Sequence, residues 1–251
     1  MPGADRNSDI LAYLKVNKTA TVNELAELLY VSPATIRRDL TELQKRGQIN
    51  RSHGGAVLME GADEISFFIR QVKNAREKEE AASVALRHMP EFQTVFIDNS
   101  STCLALAERM NLAHKTVVTN GLNIAMRISR HDNVNLIMPG GEVKFNTTAV
   151  LGSMAANCLN SLKFDLSIIS CSAVDKDGSY EFSLESMQIK KIALLNSKTK
   201  VLIFDNTKVN TSAIFRTASL DTYDYIFSNA SNQLLQSLDA DGTKSINIIN
   251  M

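Results

Sequence analysis

The sequence predicts an α/β protein in two parts, a small helical N-terminal domain with a β hairpin and a larger, mostly parallel α/β domain. Two observations lead to this prediction. Two short amphipathic segments joined by a very tight link lie before residue 47, and short apolar runs alternate with helical segments from residue 94 onward. A chain of 251 residues has room for one small and one medium domain. We place the domains at residues 1–57 and 76–251, with a linker at 58–75.

Composition and charge restrict the possible classes of protein. A hydrophobic content of 44% with 22% charged residues is ordinary for a globular chain. There is no run of about 18 apolar residues and no basic leader, so we expect neither a membrane span nor a secretory signal and place the protein in the cytoplasm. The cysteines (Cys103, Cys158 and Cys171) lack metal-ligand spacing and are expected to be reduced thiols. The sequence predicts no metal and no cofactor.

The net charge of zero argues against a uniformly basic surface, but one segment is locally basic. Between Tyr30 and Val57 there are five cations and two anions. They are Arg37, Arg38, Lys45, Arg46 and Arg51 against Asp39 and Glu42.

Two short helices are predicted first. Ile10, Leu11 and Leu14 recur at helical spacing in the first of them. Thr21 and Glu24 have the spacing of a capping box at the start of the second. The apolar stripe of that second helix consists of Val22, Leu25, Leu28 and Leu29.

A third helix is expected after the tight link Tyr30-Val31. Ser32 can cap it, and Pro33 suits its first position, where no amide donor is needed. We expect the helix to run to about Arg46 and to stop at Gly47.

The third helix separates into an apolar face and a polar face. Ile36, Leu40 and Leu43 fall on one side, which is therefore the core face. The opposite side and its flanks carry Ala34, Thr35, Arg37, Arg38, Thr41 and Lys45. A solvated surface would account for Arg38 and Lys45 alone. Together, however, the tight turn and the cations and hydroxyls beyond it favour a helix-turn-helix whose second helix enters the DNA major groove.

The residues after this helix predict a small two-stranded wing. Ile49 is followed by a polar stretch with Arg51 and His53, and then by Gly54-Gly55, which permit a tight bend or a close backbone approach to phosphates. His53 is either a turn residue or a contact to the DNA backbone. Metal binding by His53 is not expected, because no second ligand lies at a suitable spacing.

The stretch VSPATIRRDLTELQKRGQINRSHGGA, with Arg6, Ile10 and Leu14 upstream, resembles the winged helix-turn-helix of DeoR-type transcriptional regulators. The resemblance implies that Arg37 and Arg38 are recognition-helix arginines, and that Asp39 orients them or caps a local hydrogen-bond network. The expected DNA-binding residues are Ser32, Ala34, Thr35, Arg37, Arg38, Thr41, Lys45, Arg51, His53 and Gly54.

The second domain is predicted to contain a mostly parallel sheet. Continuous apolar strands separated by amphipathic helices are typical of sheets that are covered on both faces. The predicted strands lie in TVFID, KTVVTN, VNLIMPGG, FDLSIISCS, KVLIFDN and YDYIFSN.

Ligands bind beyond the carboxyl ends of such strands, and small, polar and cationic residues follow several of them. Asp98–Thr102 place three hydroxyls at a helix start, where plain N-capping would need only one and an anion would be favoured by the rest. Thr119-Asn120, Gly140-Gly141 and Lys208 follow other strands. This convergence predicts a site for a small phosphorylated polyol.

The family resemblance extends over this domain and implies a fold similar to that of ribose 5-phosphate isomerase, used to sense phosphorylated sugars. Glu185 and Lys190 match a helix pattern of the family. The effector-binding residues expected from both arguments are Asp98, Asn99, Ser100, Ser101, Thr102, Thr119, Asn120, Gly140, Gly141, Glu185 and Lys208.

One departure from the family affects the predicted function. Ser172 stands where many members have a carboxylate, with Asp175 soon after. A sugar-phosphate isomerase-like enzyme would need a carboxylate base, a role that Glu185 could fill, but the missing carboxylate and the attached DNA-binding domain favour sensing. We therefore predict a transcriptional regulator without enzyme activity, a repressor of a sugar-utilisation operon. Its expected partners are a double-stranded DNA operator, a phosphorylated sugar effector and further copies of itself in a homodimer or homotetramer, with no membrane.

Overall fold

The protein is described from a computed structural model, which covers residues 3–17, 19–45, 48–52, 54–58, 67–238 and 247–250. It divides into two compact units, Met1–Phe68 and Ile69–Met251. The predicted linker at 58–75 spans this division, and its residues 59–66 lie outside the described ranges. Gly47, the predicted end of the third helix, also lies outside them.

The first unit contains three helices and a small antiparallel sheet. In chain order these are α1 (Gly3–Asn17), β1 (Thr19–Thr21), α2 (Val22–Leu28), α3 (Pro33–Lys45), β2 (Ile49–Ser52) and β3 (Gly55–Leu58). The strand order is β1-β3-β2, so the predicted wing gains a third strand from the segment before α2. Strand β1 was not predicted, because three residues are too short to show an alternating pattern.

The predicted capping box at the start of α2 is confirmed. The Thr21 hydroxyl accepts from the Glu24 amide at 3.2 Å, and the Glu24 carboxylate accepts from the Thr21 amide at 2.7 Å. The core beneath these elements is apolar, with Ile10, Leu25 and Leu40 fully buried. The three helices and the wing are therefore held by the apolar stripes that the sequence shows.

The second unit is built on a seven-stranded parallel sheet. Its helices, in chain order, are α4 (Phe67–Val72, shared with the end of the first unit), α5 (Ala75–His88), α6 (Ser101–Ala107), α7 (Leu122–Ile128), α8 (Ser153–Asn160), α9 (Leu184–Leu195) and α10 (Asn232–Gln236). Its strands are β4 (Thr94–Ile97), β5 (Thr116–Thr119), β6 (Asn135–Ile137), β7 (Glu142–Lys144), β8 (Ala149–Leu151), β9 (Phe164–Ile169), β10 (Ala173–Asp175), β11 (Gly178–Glu181), β12 (Ser197–Phe204), β13 (Phe215–Ala218), β14 (Tyr225–Ser228) and β15 (Ile248–Ile249).

All six predicted strands are present, as β4, β5, β6, β9, β12 and β14, and every pairing in the large sheet is parallel. Consecutive residues of β4 and β12 are buried, as expected of strands covered on both faces. The predicted two-part α/β architecture is thus confirmed. The hairpin β7–β8 and the small sheet β10-β11-β13 were not predicted, because their strands are short and partly polar.

The strand order of the large sheet is β15-β14-β12-β9-β4-β5-β6. From β4 the chain first adds β5 and β6 on one side and then returns to add β9, β12 and β14 on the other. The order therefore reverses between β4 and β9. In open α/β sheets the crevice at such a reversal, beyond the carboxyl ends of the strands, is where ligands bind.

Candidate DNA-binding surface and ligand site

Helix α3 presents a basic face to solvent. Ile36, Leu40 and Leu43 are fully buried, as its periodicity predicts. A shallow open depression on the opposite side is lined by Arg37, Arg38, Thr41, Glu42 and Lys45. Three cations against one anion make this surface electropositive, and the predicted contact residues share it.

The start of α3 is small and accessible. Ser32 caps the helix as predicted, because its hydroxyl accepts from the Thr35 amide at 3.2 Å. The Ser32 and Thr35 hydroxyls lie 2.9 Å apart, and Ala34 is exposed beside them. A duplex could therefore approach the backbone of this first turn closely.

Asp39 does not orient the neighbouring arginines, which corrects that expectation. Its carboxylate is buried and accepts from Arg6 of α1, with Nε at 2.5 Å from Oδ2 and Nη2 at 3.0 Å from Oδ1. Position 39 lies at the edge of the core face, next to Leu43, and its side chain is buried. Asp39 therefore joins α3 to α1 and leaves the exposed arginines free of its charge.

The wing is hydrogen-bonded to α3. The Arg51 guanidinium on β2 donates to the Arg37 carbonyl at 3.3 Å and to the Thr41 hydroxyl at 3.2 Å, and that hydroxyl donates to the Arg37 carbonyl at 2.7 Å. Arg51 and Thr41 thus fix the orientation of the wing against the recognition helix, in addition to any contact with DNA.

The two wing glycines serve different purposes. Gly54 is exposed, with φ at +88°, a left-handed conformation that favours glycine, and its carbonyl accepts from the Val22 amide at 2.8 Å. A Cβ on Gly55 would lie 2.2 Å from the Ala20 carbonyl oxygen, so Gly55 permits the close pairing of β3 with β1. His53 lies outside the described residues.

In the second unit, the predicted effector segments meet at the carboxyl edge of the sheet. Asp98–Thr102 follow β4 and Thr119-Asn120 follow β5, its neighbour. On the other side of β4, Ser170–Ser172 follow β9, and Asp205–Lys208 follow β12. Because these strands are parallel neighbours, the four segments lie side by side around the point where the strand order reverses.

A buried ion pair lies at this point. The Lys190 amine of α9 lies 2.8 Å from Asp98 Oδ2, and both side chains are buried. Asp98 also accepts from the backbone amides of Ser100 and Ser170, each at 2.9 Å. Burial acts to raise the pKa of Asp98, but the charge of the Lys190 ammonium and side-chain hydrogen bonds from Lys190, Ser100 and Cys103 outweigh it and lower the pKa below its ordinary value. Asp98 therefore holds the loops after β4 and β9 in place, and its carboxylate oxygens already have partners.

Glu181 is a second carboxylate in this cluster, and sequence reasoning missed it. It is buried, pairs with the Lys190 amine and accepts from the Ser172 hydroxyl at 2.8 Å. Lys190 also donates to the Ser170 carbonyl at 2.8 Å. Burial lowers the pKa of Lys190, and the two carboxylates more than reverse this shift, so that its pKa is raised. The cluster Asp98–Lys190–Glu181–Ser172, in which only Ser172 is half-buried, thus joins β4, β9, β11 and α9.

This cluster qualifies the expectation drawn from Ser172. The chain has no carboxylate at position 172, but the β10–β11 hairpin returns Glu181 to within hydrogen-bonding distance of that hydroxyl. The predicted Glu185 instead pairs with Lys144 of β7 at 3.4 Å and is about half exposed. Only the register of the hairpin could have shown that Glu181, and not Glu185, joins Asp98 and Lys190.

Two buried amides are incompletely satisfied beside the cluster. Asn120 Nδ2 lies 3.5 Å from Asn99 Oδ1 and 3.5 Å from the Val150 carbonyl, and Asn99 Nδ2 lies 3.5 Å from the Thr147 carbonyl. These distances are at the limit of hydrogen bonding. Asn120 is 1% exposed, yet its Oδ1 has no hydrogen-bond partner. A buried polar atom in this state is costly, so it marks a position where a donor on a ligand would be favourable.

The hydroxyls at the start of α6 have separate roles. Ser100 is the N-cap, because its Oγ accepts from the Cys103 amide at 3.0 Å. Ser101 and Thr102 are buried in the first turn and are not needed as caps. Thr119 accepts from the Gly121 amide at 3.1 Å and so shapes the turn after β5. Plain capping thus accounts for one of the three hydroxyls in the Asp98–Thr102 loop.

The remaining predicted residues lie in the segments that follow β6 and β12. Gly140-Gly141 precede β7, and a Cβ on Gly141 would lie 2.4 Å from the Leu151 carbonyl oxygen, so this glycine permits the close pairing of β7 with β8. Lys208 ends a short 3-10 turn, Asn206–Lys208, and is half-buried.

Within the described ranges, no group of three or more His, Cys, Asp or Glu side chains could hold a metal ion. In the same part of the chain, no helix combines the length and apolar character needed to cross a membrane.

Two family models match the sequence. The DeoR-like helix-turn-helix domain matches residues 6–61, and the DeoR C terminal sensor domain matches residues 73–230. Among curated relatives, the HTH-type transcriptional regulator GolR of Listeria innocua is 32% identical over 88% of this chain and 87% of its own. The glycerol-3-phosphate regulon repressor of Escherichia coli is 30% identical over 92% of both chains. The L-fucose operon activator of Haemophilus influenzae is 32% identical over 90% of this chain and 92% of its own.

Among solved structures, ribose 5-phosphate isomerase A from Methanocaldococcus jannaschii aligns with 54% of this chain and 55% of its own, at 13% identity and a TM-score of 0.38. A likeness at this level supports no conclusion about activity. The detailed similarity of the second unit to that enzyme stays a prediction.

Proposed function

The chain belongs to the DeoR family of transcriptional regulators, and on that premise we propose that a phosphorylated sugar or polyol, bound at the carboxyl edge of the sheet, controls how α3 binds operator DNA. The family membership favours a regulator over the alternative of an isomerase-like enzyme. In addition, Glu185, the base such an enzyme would have used, is paired with Lys144.

For DNA binding, the proposal is supported by the exposed face of α3. Arg38 lies opposite the core stripe and would reach base edges in the major groove, with Arg37 nearer the backbone. Lys45 at the far end of the helix would contact a phosphate. The small residues at the start of α3 would let its first turn approach the duplex.

For the effector, the observation that carries the proposal is the buried Asn120 side chain, whose Oδ1 lacks a partner at the edge where the strand order reverses. A ligand hydroxyl would supply the missing donor. Ser101 and Thr102 beside it, together with the Lys208 cation, would bind an anionic group. Hydroxyls and one phosphate on a small molecule meet both requirements.

One relative has a name that agrees with this chemistry, the glycerol-3-phosphate regulon repressor, whose name contains a phosphorylated polyol. The name of another, the L-fucose operon activator, contains a sugar without a phosphate. Since these names include a repressor and an activator, the sign of regulation cannot be carried over from them. We propose repression of a sugar-utilisation operon.

We also propose that the protein acts as a homodimer or homotetramer. A single winged domain covers little DNA, and symmetric dimers that read repeated half-sites are the usual way to reach tight specific binding. Light scattering on the full chain at micromolar concentration should give a mass above the monomer, and a strictly monomeric chain would contradict this part of the proposal.

The effector proposal is tested by thermal shift with glycerol 3-phosphate and ribose 5-phosphate, each compared with its unphosphorylated counterpart and with inorganic phosphate. DNA fragments that the protein selects from its own genome then serve as probes for gel-shift titration with and without the compound that binds. We expect the phosphorylated compound to bind far more tightly than the unphosphorylated one.

The paired variants Lys208→Ala and Ser101→Ala locate the site. Both should lose the response to the effector while they keep the DNA affinity of the wild type. If both variants respond at the wild-type concentration of the same compound, the effector binds elsewhere.

A further inference from the structure

Helix α4 and the turn after it join the two units along the chain, and one buried amine holds the end of this segment. Lys78, in the first turn of α5, is 5% exposed, and its Nζ donates to the backbone carbonyls of Arg70 and Lys73. An ammonium with two carbonyl acceptors at the end of a helix stabilises that end by charge-assisted hydrogen bonds. The position of this connector, residues 67–74, therefore depends on Lys78.

The turn between α4 and α5 is also bonded to the loop after β12. Asn74 stands at the N-cap position of α5, with φ at 54° in the left-handed region that asparagine tolerates. Its side chain does not cap the helix. Its Nδ2 instead donates to the Thr207 hydroxyl at 2.9 Å, and Thr207 is held by Asp205, whose Oδ1 accepts from the Thr207 amide at 3.1 Å. Asn74 therefore joins the connector to the loop that carries Lys208.

The charges of this loop act on the same amine. Burial lowers the pKa of Lys78 from 10.5 to about 8, with Asp205 opposing this effect and Lys208 adding to it. The Asp205 side chain is fully buried; its Oδ1 accepts from the Thr207 amide and hydroxyl, whereas its Oδ2 has no hydrogen-bond partner among the described residues. The Lys78 ammonium thus lies within electrostatic reach of one carboxylate and of the cation that is proposed to bind the effector.

We propose that Lys78 and Asn74 are positioning residues that couple the Asp205–Lys208 loop to the end of α4. An anion bound at Lys208 would then strengthen the hydrogen bonds that Lys78 makes to the connector. This inference rests on the proposed effector site. An anion at Lys208 offsets the positive charge that disfavours the Lys78 ammonium, which strengthens its bonds to the Arg70 and Lys73 carbonyls. The segment that leads to the DNA-binding unit is then held more firmly.

Trypsin provides a direct measurement, because it cleaves the peptide bonds whose carbonyls Lys78 holds, those after Arg70 and Lys73. In the full chain, Lys78→Met should raise the rate of cleavage at these bonds at least about tenfold, as the bonds to a charged donor are lost and the segment opens more often. The matched control is Arg76→Met on the same helix, where the side chain is 87% exposed and pairs with Glu80. Its cleavage rate at the same bonds, followed by mass spectrometry, should stay within about twofold of the wild type.

A second pair of variants tests the coupling without relying on Lys78→Met folding. Asn74→Gly keeps the left-handed backbone accessible and removes the bond to Thr207, while Thr207→Val removes the same bond from the loop side. Each should accelerate cleavage after Arg70 and Lys73 by about threefold, and the double variant should cleave no faster than either single variant. Thr222→Val, which removes a hydroxyl that contacts Ser219, is the control and should match the wild type.

The outcomes separate this inference from the proposed effector. Wild-type cleavage rates in both Lys78→Met and Thr207→Val would overturn the coupling. With glycerol 3-phosphate or inorganic phosphate present, cleavage should slow in the wild type and stay unchanged in Asn74→Gly. Fast cleavage in the variants, with no effect of either probe on the wild type, would support the coupling and count against the proposed effector class alone.

Discussion

The exposed face of α3 and the carboxyl edge of the large sheet are both polar surfaces, and they are built in opposite ways. On this face of α3 the cations Arg37, Arg38 and Lys45 stand on one element and are exposed to solvent. At the sheet edge, Asp98, Glu181 and Lys190 come from three separate elements and are almost completely buried. Charges of the first kind affect what the protein binds, whereas charges of the second kind also affect whether the unit folds.

This difference follows from desolvation. An exposed arginine keeps its water in the free protein, so removing it leaves nothing unpaired. A buried lysine between two carboxylates has replaced its water with those partners, so removing it leaves their charges in a medium of low polarity. Substitutions at the sheet edge should therefore change the free energy of unfolding, and substitutions on the exposed face of α3 should change DNA affinity.

The largest effect is expected for Lys190→Met. The substitution leaves the buried Asp98 and Glu181 carboxylates without their cation and should reduce the free energy of unfolding of the second unit by about 3–5 kcal/mol. Calorimetry of the full chain should show this loss in the transition of the second unit, with that of the first unit unchanged. The control is Lys144→Met, a half-exposed ion-pair partner of Glu142 and Glu185, which should melt close to the wild-type temperature. A wild-type melting temperature for Lys190→Met would remove the distinction drawn between the two surfaces.

At the sheet edge, added side-chain volume should lower the stability of the second unit, as the loss of a buried charge does. A Cβ on Gly121 would lie 2.8 Å from Asn99 Cα, a backbone atom that cannot move aside cheaply. Gly121→Ala should therefore cost about 1–3 kcal/mol of stability and separate the two amides beside the cluster. Gly140→Ala is the matched control, since the nearest atom to its Cβ is the flexible Met154 Cε at 3.6 Å, and it should be close to neutral. Equal urea midpoints for the two variants would contradict this account.

The contrast also explains how much the sequence could predict. The two faces of α3 follow from a period of 3.6 residues within one helix, so Ile36, Leu40 and Arg38 were assigned to their correct sides. Six strands of the large sheet followed from their apolar runs. Local patterns of this kind need no knowledge of the tertiary structure.

The buried cluster could be predicted only in part. Asp98 was found because it follows a strand, and Ser172 because it departs from the family pattern, but their connection to Glu181 depends on the register of the β10–β11 hairpin and on the packing of α9. Of the two roles expected for Asp39, orienting the arginines was wrong for a related reason, since a charge next to two exposed arginines looks like their partner until Arg6 of α1 is seen beside it. Interactions between segments that are far apart along the chain produce no periodic pattern in the sequence.

Arg38→Ala tests the exposed face of α3 through its affinity for DNA. If Arg38 contacts a guanine in a bidentate manner, the variant should lose about 1–3 kcal/mol of affinity for the specific site and little for unrelated DNA. Its melting temperature should equal that of the wild type, because the side chain is exposed. Unchanged affinity for the specific site in a gel-shift titration would show that α3 does not enter the groove in the proposed orientation.

The smallest effect is expected for Lys45→Ala. Lys45 is exposed at the end of α3, where its ammonium would contact a phosphate and no base, so its loss should weaken binding to all sequences by a similar factor. Each phosphate contact contributes about one unit to the slope of log affinity against log salt concentration, so the slope should become shallower by about one unit. Arg51 is less suitable for this measurement, because its bonds to the Arg37 carbonyl and the Thr41 hydroxyl also orient the wing. The measurement is a salt titration of Lys45→Ala and of Arg51→Ala, each on the specific fragment and on unrelated DNA. A loss confined to the specific fragment would show that Lys45 reads sequence, and a steeper loss for Arg51→Ala on both fragments would show the added contribution of the wing.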